Sequence, residues 1–146
     1  SACYQIDDFS EIQVKVNALE LLERELRRKR VKGTIGTGSM NDPYMPLEQR
    51  CCLTGQALEL IARHRFPVHV ITKSDLVLRD LAVLQEIGQV YAAVSFTITS
   101  ADDALCRLVE PDAPPASRRC AALHGLSHAG ILCGFSLKWR RTSLPT

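Results

Sequence analysis

The stretch PVHVITKSDLVLRDLAVLQEIGQVYAAVSFTIT, residues 67–99, decides the fold of this chain. It begins with the β-branched run Val68–Thr72, passes through a polar loop into the helical segment Asp80–Gly88, and returns to a second β-rich run, Tyr91–Thr99. Two strands separated by a helix of this length pair in parallel through a right-handed crossover. The stretch therefore predicts a βαβ unit of an α/β fold.

The same alternation of helical and strand patterns continues on both sides of this unit. The remaining predicted elements are a helix over 17–30, an extended stretch near 32–37, helices over 47–65, 101–109 and 114–129, and a strand over 131–137. The order predicts about four parallel strands, in a barrel or a wound sheet that is incomplete at both ends. Because the strands are apolar or β-branched nearly throughout, we expect both faces of the sheet to be covered.

Length, charge and cysteine content limit the classes of protein that fit. The chain has 146 residues, enough for one domain but fewer than the about 250 residues of a complete βα barrel. Eighteen Lys and Arg against sixteen Asp and Glu give a net charge of +2, too small to indicate a nucleic-acid partner. No apolar run approaches the about 20 residues of a membrane span, and no secretory segment stands near the start. The six cysteines form no disulfide framework, so we expect free thiols and a cytoplasmic protein.

Polar residues follow three of the predicted strands, at the edge where parallel α/β folds place their sites. They are the loop Gly36–Tyr44 (GTGSMNDPY), the segment Thr72–Asp75 and the segment Ser95–Thr99. Glycines allow the backbone to approach a ligand closely, and a lysine with several hydroxyls suits a carboxylate and a ribose. The pattern predicts a small-molecule site, and ordinary loop polarity is the alternative. The loop is neither a Walker A motif nor GxGxxG, so no phosphate cradle is predicted.

Three other clusters are better explained by structure than by chemistry. Cys120, His124 and His128 recur every four residues on one predicted helix, but the first and third lie about 12 Å apart along its axis, too far for one zinc ion. The vicinal pair Cys51–Cys52 lacks the spacing of a CxxC site. The basic run Arg27–Lys32 suits either phosphate contacts or a solvated helix end, and we favour the helix end. We therefore predict no metal site in this chain.

Six segments, taken in order, carry a family resemblance. They are Tyr4–Phe9 (YQIDDF), Val14–Arg30, Lys32–Glu48 (KGTIGTGSMNDPYMPLE), Pro67–Asp80, Ala92–Asp103 and Glu110–Pro114 (EPDAP). Together they resemble the radical S-adenosylmethionine (radical SAM) superfamily, in its spore-photoproduct-lyase-like branch. The resemblance extends from about residue 3 to residue 134. It implies a partial parallel βα barrel.

The resemblance also implies cofactors and a site. In this family a CxxxCxxC loop holds a [4Fe–4S] cluster, whose open iron binds the amino and carboxylate groups of S-adenosylmethionine. One-electron reduction then gives methionine and a 5′-deoxyadenosyl radical. The implied cofactor-binding residues are Gly36, Gly38, Ser39, Asn41 and Asp42 toward the methionyl amine, Lys73 and Ser74 near the methionyl carboxylate, and Ser95 and Thr97 toward the ribose.

The cluster loop is the feature of the family that this chain lacks. Cys3 resembles a later cysteine of the family that binds no iron, and the other five cysteines lack the required spacing. After residue 137 the chain reads KWRRTSLPT, which departs from the family. We therefore expect a partial radical SAM core domain over 1–137 and a divergent tail over 138–146. The chain is interpreted as a fragment, inactive by itself, of an enzyme that cleaves S-adenosylmethionine.

The expected partners follow from this interpretation. S-adenosylmethionine is the expected ligand, and open sheet edges predict self-association. The resemblance suggests a DNA lesion as substrate for one relative, but the near-neutral charge gives DNA no independent support here. Two alternatives remain open at this point, a non-catalytic module that binds S-adenosylmethionine or adenosine, and a structural piece completed by another chain.

Overall fold

The computed structural model describes residues 14–137, so the segment Tyr4–Phe9, Cys3 and the tail over 138–146 lie outside the described residues. The helices in the described part are α1 (Ala18–Arg28), α2 (Glu48–Cys51), α3 (Leu53–Arg63), α4 (Leu81–Gly88), α5 (Asp103–Val109) and α6 (Ala116–His128). The strands are β1 (Ile35–Thr37), β2 (Val68–Thr72), β3 (Ala92–Ile98) and β4 (Leu132–Leu137). A 3-10 helix, Asp75–Asp80, leads from β2 into α4.

The four strands form one parallel sheet in the order β1-β2-β3-β4. This confirms the prediction of an α/β fold with about four parallel strands. Each new strand is added beside the previous one, in the same direction across the sheet. Because parallel crossovers are right-handed, this order brings the connecting helices to one face of the sheet.

The hydrophobic core lies between that face and the helices. Val70, Val94 and Phe96 point from the central strands and are completely buried. They belong to one cluster with Leu84 of α4 and Leu126 of α6, which are also completely buried. Alternate residues of each strand therefore supply the apolar contacts, as a strand period of two requires.

The other face of the sheet carries mostly small and polar residues, together with Ile71 and Leu132. The strand register aligns Gly36 with His69 and Ala93, and Ser95 with Gly134. His69 and Ser95 are only half-buried. In the described part of the chain the helices pack on one face. On the other face Ala93 and Thr97 are nevertheless buried, so the expectation that both faces are covered holds in part.

The predicted helix over 47–65 is in fact two helices. Cys52 adopts a left-handed conformation with φ of 50° and separates α2 from α3. Glu48, which is buried, explains the break, because its Oε1 accepts hydrogen bonds from the amides of Thr54 (3.0 Å) and Gly55 (3.3 Å). A carboxylate at the first turn of a helix satisfies free amides and complements the helix dipole. The start of α3 is therefore fixed by a side chain from the preceding helix.

Candidate functional site at the carboxyl edge of the sheet

The carboxyl ends of the strands surround a cavity of about 300 Å³. Its lining residues come from the loop after β1, the end of β2, and strands β3 and β4; they are Gly38, Ser39, Met40, Asp42, Ile71, Thr72, Lys73, Thr97 and Ser136. We call this the edge cavity. It brings together five of the nine residues that the sequence predicted for the cofactor.

The other four predicted residues lie around the edge cavity. Ser74 lines a neighbouring cavity of about 370 Å³, which also contains Asp42 and Lys73 and which we call the outer cavity. Gly36 lies within β1, and Asn41 is exposed on the loop. Ser95 lies on the face opposite the helices, where its Oγ is 2.8 Å from Nε2 of His69. The predicted residues therefore do not share one cavity, and Ser95 lies in the middle of β3 rather than at its carboxyl end.

Gly38 brings the loop after β1 against strand β2. Its φ is 91°, a conformation that glycine adopts without steric penalty. A Cβ atom at this position would lie 1.9 Å from the carbonyl oxygen of Ile71 and 2.8 Å from its carbonyl carbon. Only glycine allows so close an approach, and this approach forms one wall of the edge cavity.

Asp42 ties the same loop to the end of β2. Its Oδ1 accepts hydrogen bonds from Oγ1 of Thr72 (2.6 Å) and the amide of Tyr44 (2.9 Å), and its Oδ2 accepts one from the amide of Lys73 (2.7 Å). Bonds to a carboxylate are stronger than those between neutral groups. Asp42 is thus a clamp between the loop and the strand, a role that the sequence pattern did not indicate.

A second network holds the loop from behind. The hydroxyl of Tyr44 donates to Oδ2 of Asp80 (2.9 Å), and the guanidinium of Arg79 donates to Asp80 and, at 2.7 Å, to Oε1 of Glu48. Burial, followed by the adjacent Asp80 carboxylate, raises the pKa of Tyr44. Tyr44 therefore stays neutral and continues to donate a hydrogen bond to Asp80.

Lys73 is not a free cation. Its Nζ lies 2.6 Å from Oε1 of Glu110, whose Oε2 accepts from the Arg119 guanidinium (2.8 Å) and from Oγ1 of Thr99 (3.2 Å). Burial by itself raises the pKa of Glu110, but the hydrogen bonds from Lys73 and Arg119 outweigh it and lower the pKa below its ordinary value. Glu110 is therefore a carboxylate between two cations.

Sequence reasoning missed both Glu110 and Arg119 as site residues. Glu110 stands in the EPDAP segment that carries the resemblance, which is a signal that could have found it. Arg119 lies in the predicted helix over 114–129, where an arginine ordinarily faces solvent. Its complete burial follows from the fold alone.

The described residues contain no group of three or more His, Cys, Asp or Glu side chains that could hold a metal ion. The rings of His124 and His128 stack on each other with centroids 5.5 Å apart. Cys120 is exposed, whereas Cys106 is buried. The arrangement that an iron–sulfur cluster needs, three thiolates around one point, is not present in residues 14–137.

Comparison with known proteins gives relatives but no family. The chain is 31% identical over 126 residues to an uncharacterized protein of Mycobacterium tuberculosis, a match that covers 85% of this chain and 37% of that protein. An uncharacterized protein of Mycobacterium bovis matches to the same extent. An uncharacterized protein of Methanocaldococcus jannaschii is 34% identical over 120 residues, which cover 82% of this chain and 44% of that protein.

The chain spans about two fifths of the length of the curated relatives it matches. No family model matches it, and no solved structure matches it. None of the helices between residues 14 and 137 combines the length and hydrophobicity that crossing a membrane requires.

Proposed function

We propose that this chain is part of a radical SAM-type βα barrel and that its carboxyl edge binds S-adenosylmethionine. The observation that carries the proposal is the edge cavity. It is lined by five residues that the sequence resemblance implies for one ligand, namely Gly38, Ser39, Asp42, Lys73 and Thr97. Three segments of the chain, whose site residues are 24 to 59 positions apart, thus meet where parallel α/β folds bind their ligands.

The topology supports a barrel over a wound sheet. A wound sheet reverses its strand order and carries helices on both faces, whereas here the order is sequential. The face opposite the helices carries His69, Ser95 and two glycines, Gly36 and Gly134. In the proposed barrel this face lines the interior.

The residues of the edge cavity fit parts of S-adenosylmethionine. The Lys73 ammonium pairs with the methionyl carboxylate, and the Thr97 hydroxyl suits a ribose hydroxyl. Asp42 already accepts three hydrogen bonds, so its part is to hold the loop in place. A volume of about 300 Å³ lies at the lower end of ligand pockets, which suits the methionyl end of the molecule with part of its ribose.

The iron–sulfur cluster does not fit the described residues, which lack its three thiolates. We therefore assign to this chain the binding and orientation of S-adenosylmethionine, and to the intact parent the radical chemistry that this cofactor supplies. The net charge of +2 gives no reason to add DNA to the proposal. A non-catalytic module that binds S-adenosylmethionine is the second candidate, because the residues of the edge cavity would serve it equally.

Calorimetric titration of this chain with S-adenosylmethionine tests the binding. We expect saturable binding that Lys73→Met weakens by about 10- to 100-fold, the loss of one charge-assisted interaction. Lys15→Met, at an exposed lysine before α1, is the matched control and should bind as the wild type does. No saturable heat from the wild-type chain, or equal weakening by both variants, would overturn the proposed site.

Anaerobic iron–sulfur reconstitution separates the two candidates. The chain is compared with a version extended upstream by a CxxxCxxC loop, and each is treated with dithionite in the presence of S-adenosylmethionine. The parent enzyme predicts about four irons and 5′-deoxyadenosine from the extended version only. Binding of S-adenosylmethionine without product in either version would favour the non-catalytic module.

A further inference from the structure

Three charged residues form a line from the core to the edge cavity. Arg119 is completely buried, the Glu110 side chain is 13% exposed and the Lys73 side chain is 32% exposed. They come from α6, from the end of α5 and from the end of β2. The line therefore joins three separate elements and ends at the one residue of the three that lines the edge cavity.

Arg119 is the fixed end of this line. Its Nε donates to the carbonyl of Pro114 (2.7 Å), Nη1 to the carbonyl of Thr97 (2.8 Å) and Nη2 to Oε2 of Glu110 (2.8 Å). A guanidinium presents its donors in a rigid planar fork. Arg119 thus sets the position of Glu110 relative to the end of β3, since Thr97 belongs to that strand.

Glu110 transmits this position to Lys73. Its Oε2 accepts from Arg119 and Thr99, which leaves Oε1 for the Lys73 ammonium at 2.6 Å. A lysine side chain has four flexible bonds, and its ordering opposes ligand binding. Here the pairing with Glu110 orders the side chain before a ligand arrives.

Lys73 lies where two cavities meet, because it lines both the edge cavity and the outer cavity. An ammonium has three donors, and Glu110 accepts one of them. Asp42 also lines both cavities, but its oxygens already accept bonds from Thr72, Tyr44 and Lys73. The cationic group offered to a ligand at this junction is therefore the Lys73 ammonium.

We propose that Glu110 and Arg119 are a positioning pair that holds the Lys73 ammonium at the junction of the two cavities, ready to receive the carboxylate of a ligand. Both act through Lys73. Glu110 lines the outer cavity but not the edge cavity, and Arg119 lines neither, so neither residue needs to touch a ligand in the edge cavity. The identity of the ligand rests on the proposed function, whereas the positioning of Lys73 is independent of it.

Acetylation of lysine amines in the native chain, mapped by mass spectrometry, tests the positioning without any ligand. In the wild type, Lys73 should react about tenfold more slowly than exposed Lys15, because the contact with Glu110 and partial burial shield its amine. Glu110→Gln should bring Lys73 close to the rate of Lys15. The exposed substitution Glu59→Gln on α3 is the matched control and should leave the rate unchanged.

A purely structural role for Glu110 gives a different result. If Glu110→Gln merely loosens the fold, labelling of the buried thiol of Cys106 will rise together with that of Lys73, and the proposal fails. It fails equally if Lys73 and Lys15 react at the same rate in the wild type, a comparison that needs no variant. A rise at Lys73 alone supports the positioning pair.

Titration with S-adenosylmethionine then links the pair to the ligand. Glu110→Gln should weaken binding by about tenfold, while Glu59→Gln should bind normally. If Glu110→Gln binds as tightly as the wild type, the pair does not prepare Lys73 for this ligand. If Lys73 is shielded through Glu110 but the wild type binds no S-adenosylmethionine, the proposed function fails and the positioning of Lys73 stands.

Discussion

Gly38→Ala is the substitution that tests the architecture of the edge cavity most directly. The added methyl carbon would lie 1.9 Å from the carbonyl oxygen of Ile71. Since this oxygen belongs to the backbone of β2, it has no rotamer by which to move aside. The loop after β1 must therefore retreat from the strand.

The magnitude follows from two contributions. An alanine in the left-handed region, where Gly38 has φ of 91°, costs about 1–2 kcal/mol. Retreat of the loop also breaks the hydrogen bonds that Asp42 accepts from Thr72 and Lys73, at about 1 kcal/mol each. We expect the free energy of unfolding to fall by about 3–4 kcal/mol, a large part of the 5–15 kcal/mol typical of a domain.

Urea titration followed by circular dichroism measures this loss, and two other glycines serve as controls. Gly130 has φ of 85° but nothing within 4 Å of an added Cβ, so Gly130→Ala isolates backbone strain and should cost about 1–2 kcal/mol. Gly36 has neither a left-handed φ nor a close neighbour, so Gly36→Ala should change stability by less than about 1 kcal/mol. Equal losses for the Gly38 and Gly130 variants would show that the approach to Ile71 contributes nothing, and would refute the reasoning.

The charged and polar networks give three further expectations. Arg119→Met removes one of the two cations that contact Glu110 and should lower the free energy of unfolding by about 3–5 kcal/mol. Arg118→Ala, which removes an exposed ion pair, should lower it by less than about 1 kcal/mol. Similar losses of unfolding free energy for the two variants in urea titrations would contradict this. The lowered pKa of Glu110 adds stability that is complete above the ordinary value of 4.5 and is lost as the pH falls through the folded-state pKa, so Glu110→Gln should flatten the acid side of a stability profile. Tyr44→Phe should lower the free energy of unfolding by about 1 kcal/mol at neutral pH, because the hydrogen bond to Asp80 is lost. Since the pKa of Tyr44 is raised in the folded state, the wild type should lose stability above about pH 10 and the variant should lose less. Identical stability profiles of the two proteins at alkaline pH would count against this.

The strand–helix–strand pattern was predictable because it depends on local sequence. Val68–Thr72 and Ala92–Ile98 are β-branched or apolar, and the helix between them has its own apolar period. Such runs determine which elements form, and the handedness of crossovers then determines that the strands are parallel. The approximate number of strands and their parallel pairing followed from these two rules.

The break at Cys52 was not predictable from the same rules. The residues from 47 to 65 carry a continuous helical pattern, and cysteine has no preference for the left-handed region. The break depends on the buried carboxylate of Glu48, which Arg79 holds from 31 residues away. A helix boundary that depends on a tertiary contact of this kind leaves no local signal.

The face of the sheet that the helices cover was likewise not predicted from the sequence. Ser95 and Thr97 stand among apolar neighbours in β3, and the strand as a whole has the composition of one that is buried on both faces. The structure separates the strand by its period of two, with Val94 and Phe96 toward the helices and Ser95 on the other face. The polar members were the more informative signal, because they mark the face that the helices leave uncovered.

The candidate site was predictable as a place but not as a set of interactions. Strand ends and their polar residues are visible in sequence, and five predicted residues do line the edge cavity. Asp42 and Lys73, however, were expected to bind a ligand, and the structure shows that both already bind other residues of the chain. These contacts join residues 30 to 37 positions apart along the chain, so local sequence spacing cannot predict them.

These engagements separate the two residues by the role each is able to play. Asp42 accepts three hydrogen bonds, two of them from backbone amides that a ligand cannot replace without opening the loop. Lys73 gives up one donor of three and remains about one-third exposed. A ligand that enters the edge cavity therefore meets a wall fixed by Gly38 and Asp42 and a cation that Glu110 has already oriented. The rigid wall of the site and its adjustable cation thus come from adjacent strand ends. The stability of the Gly38 variant therefore reports on the wall of the cavity, whereas the reactivity of Lys73 reports on the orientation of its cation.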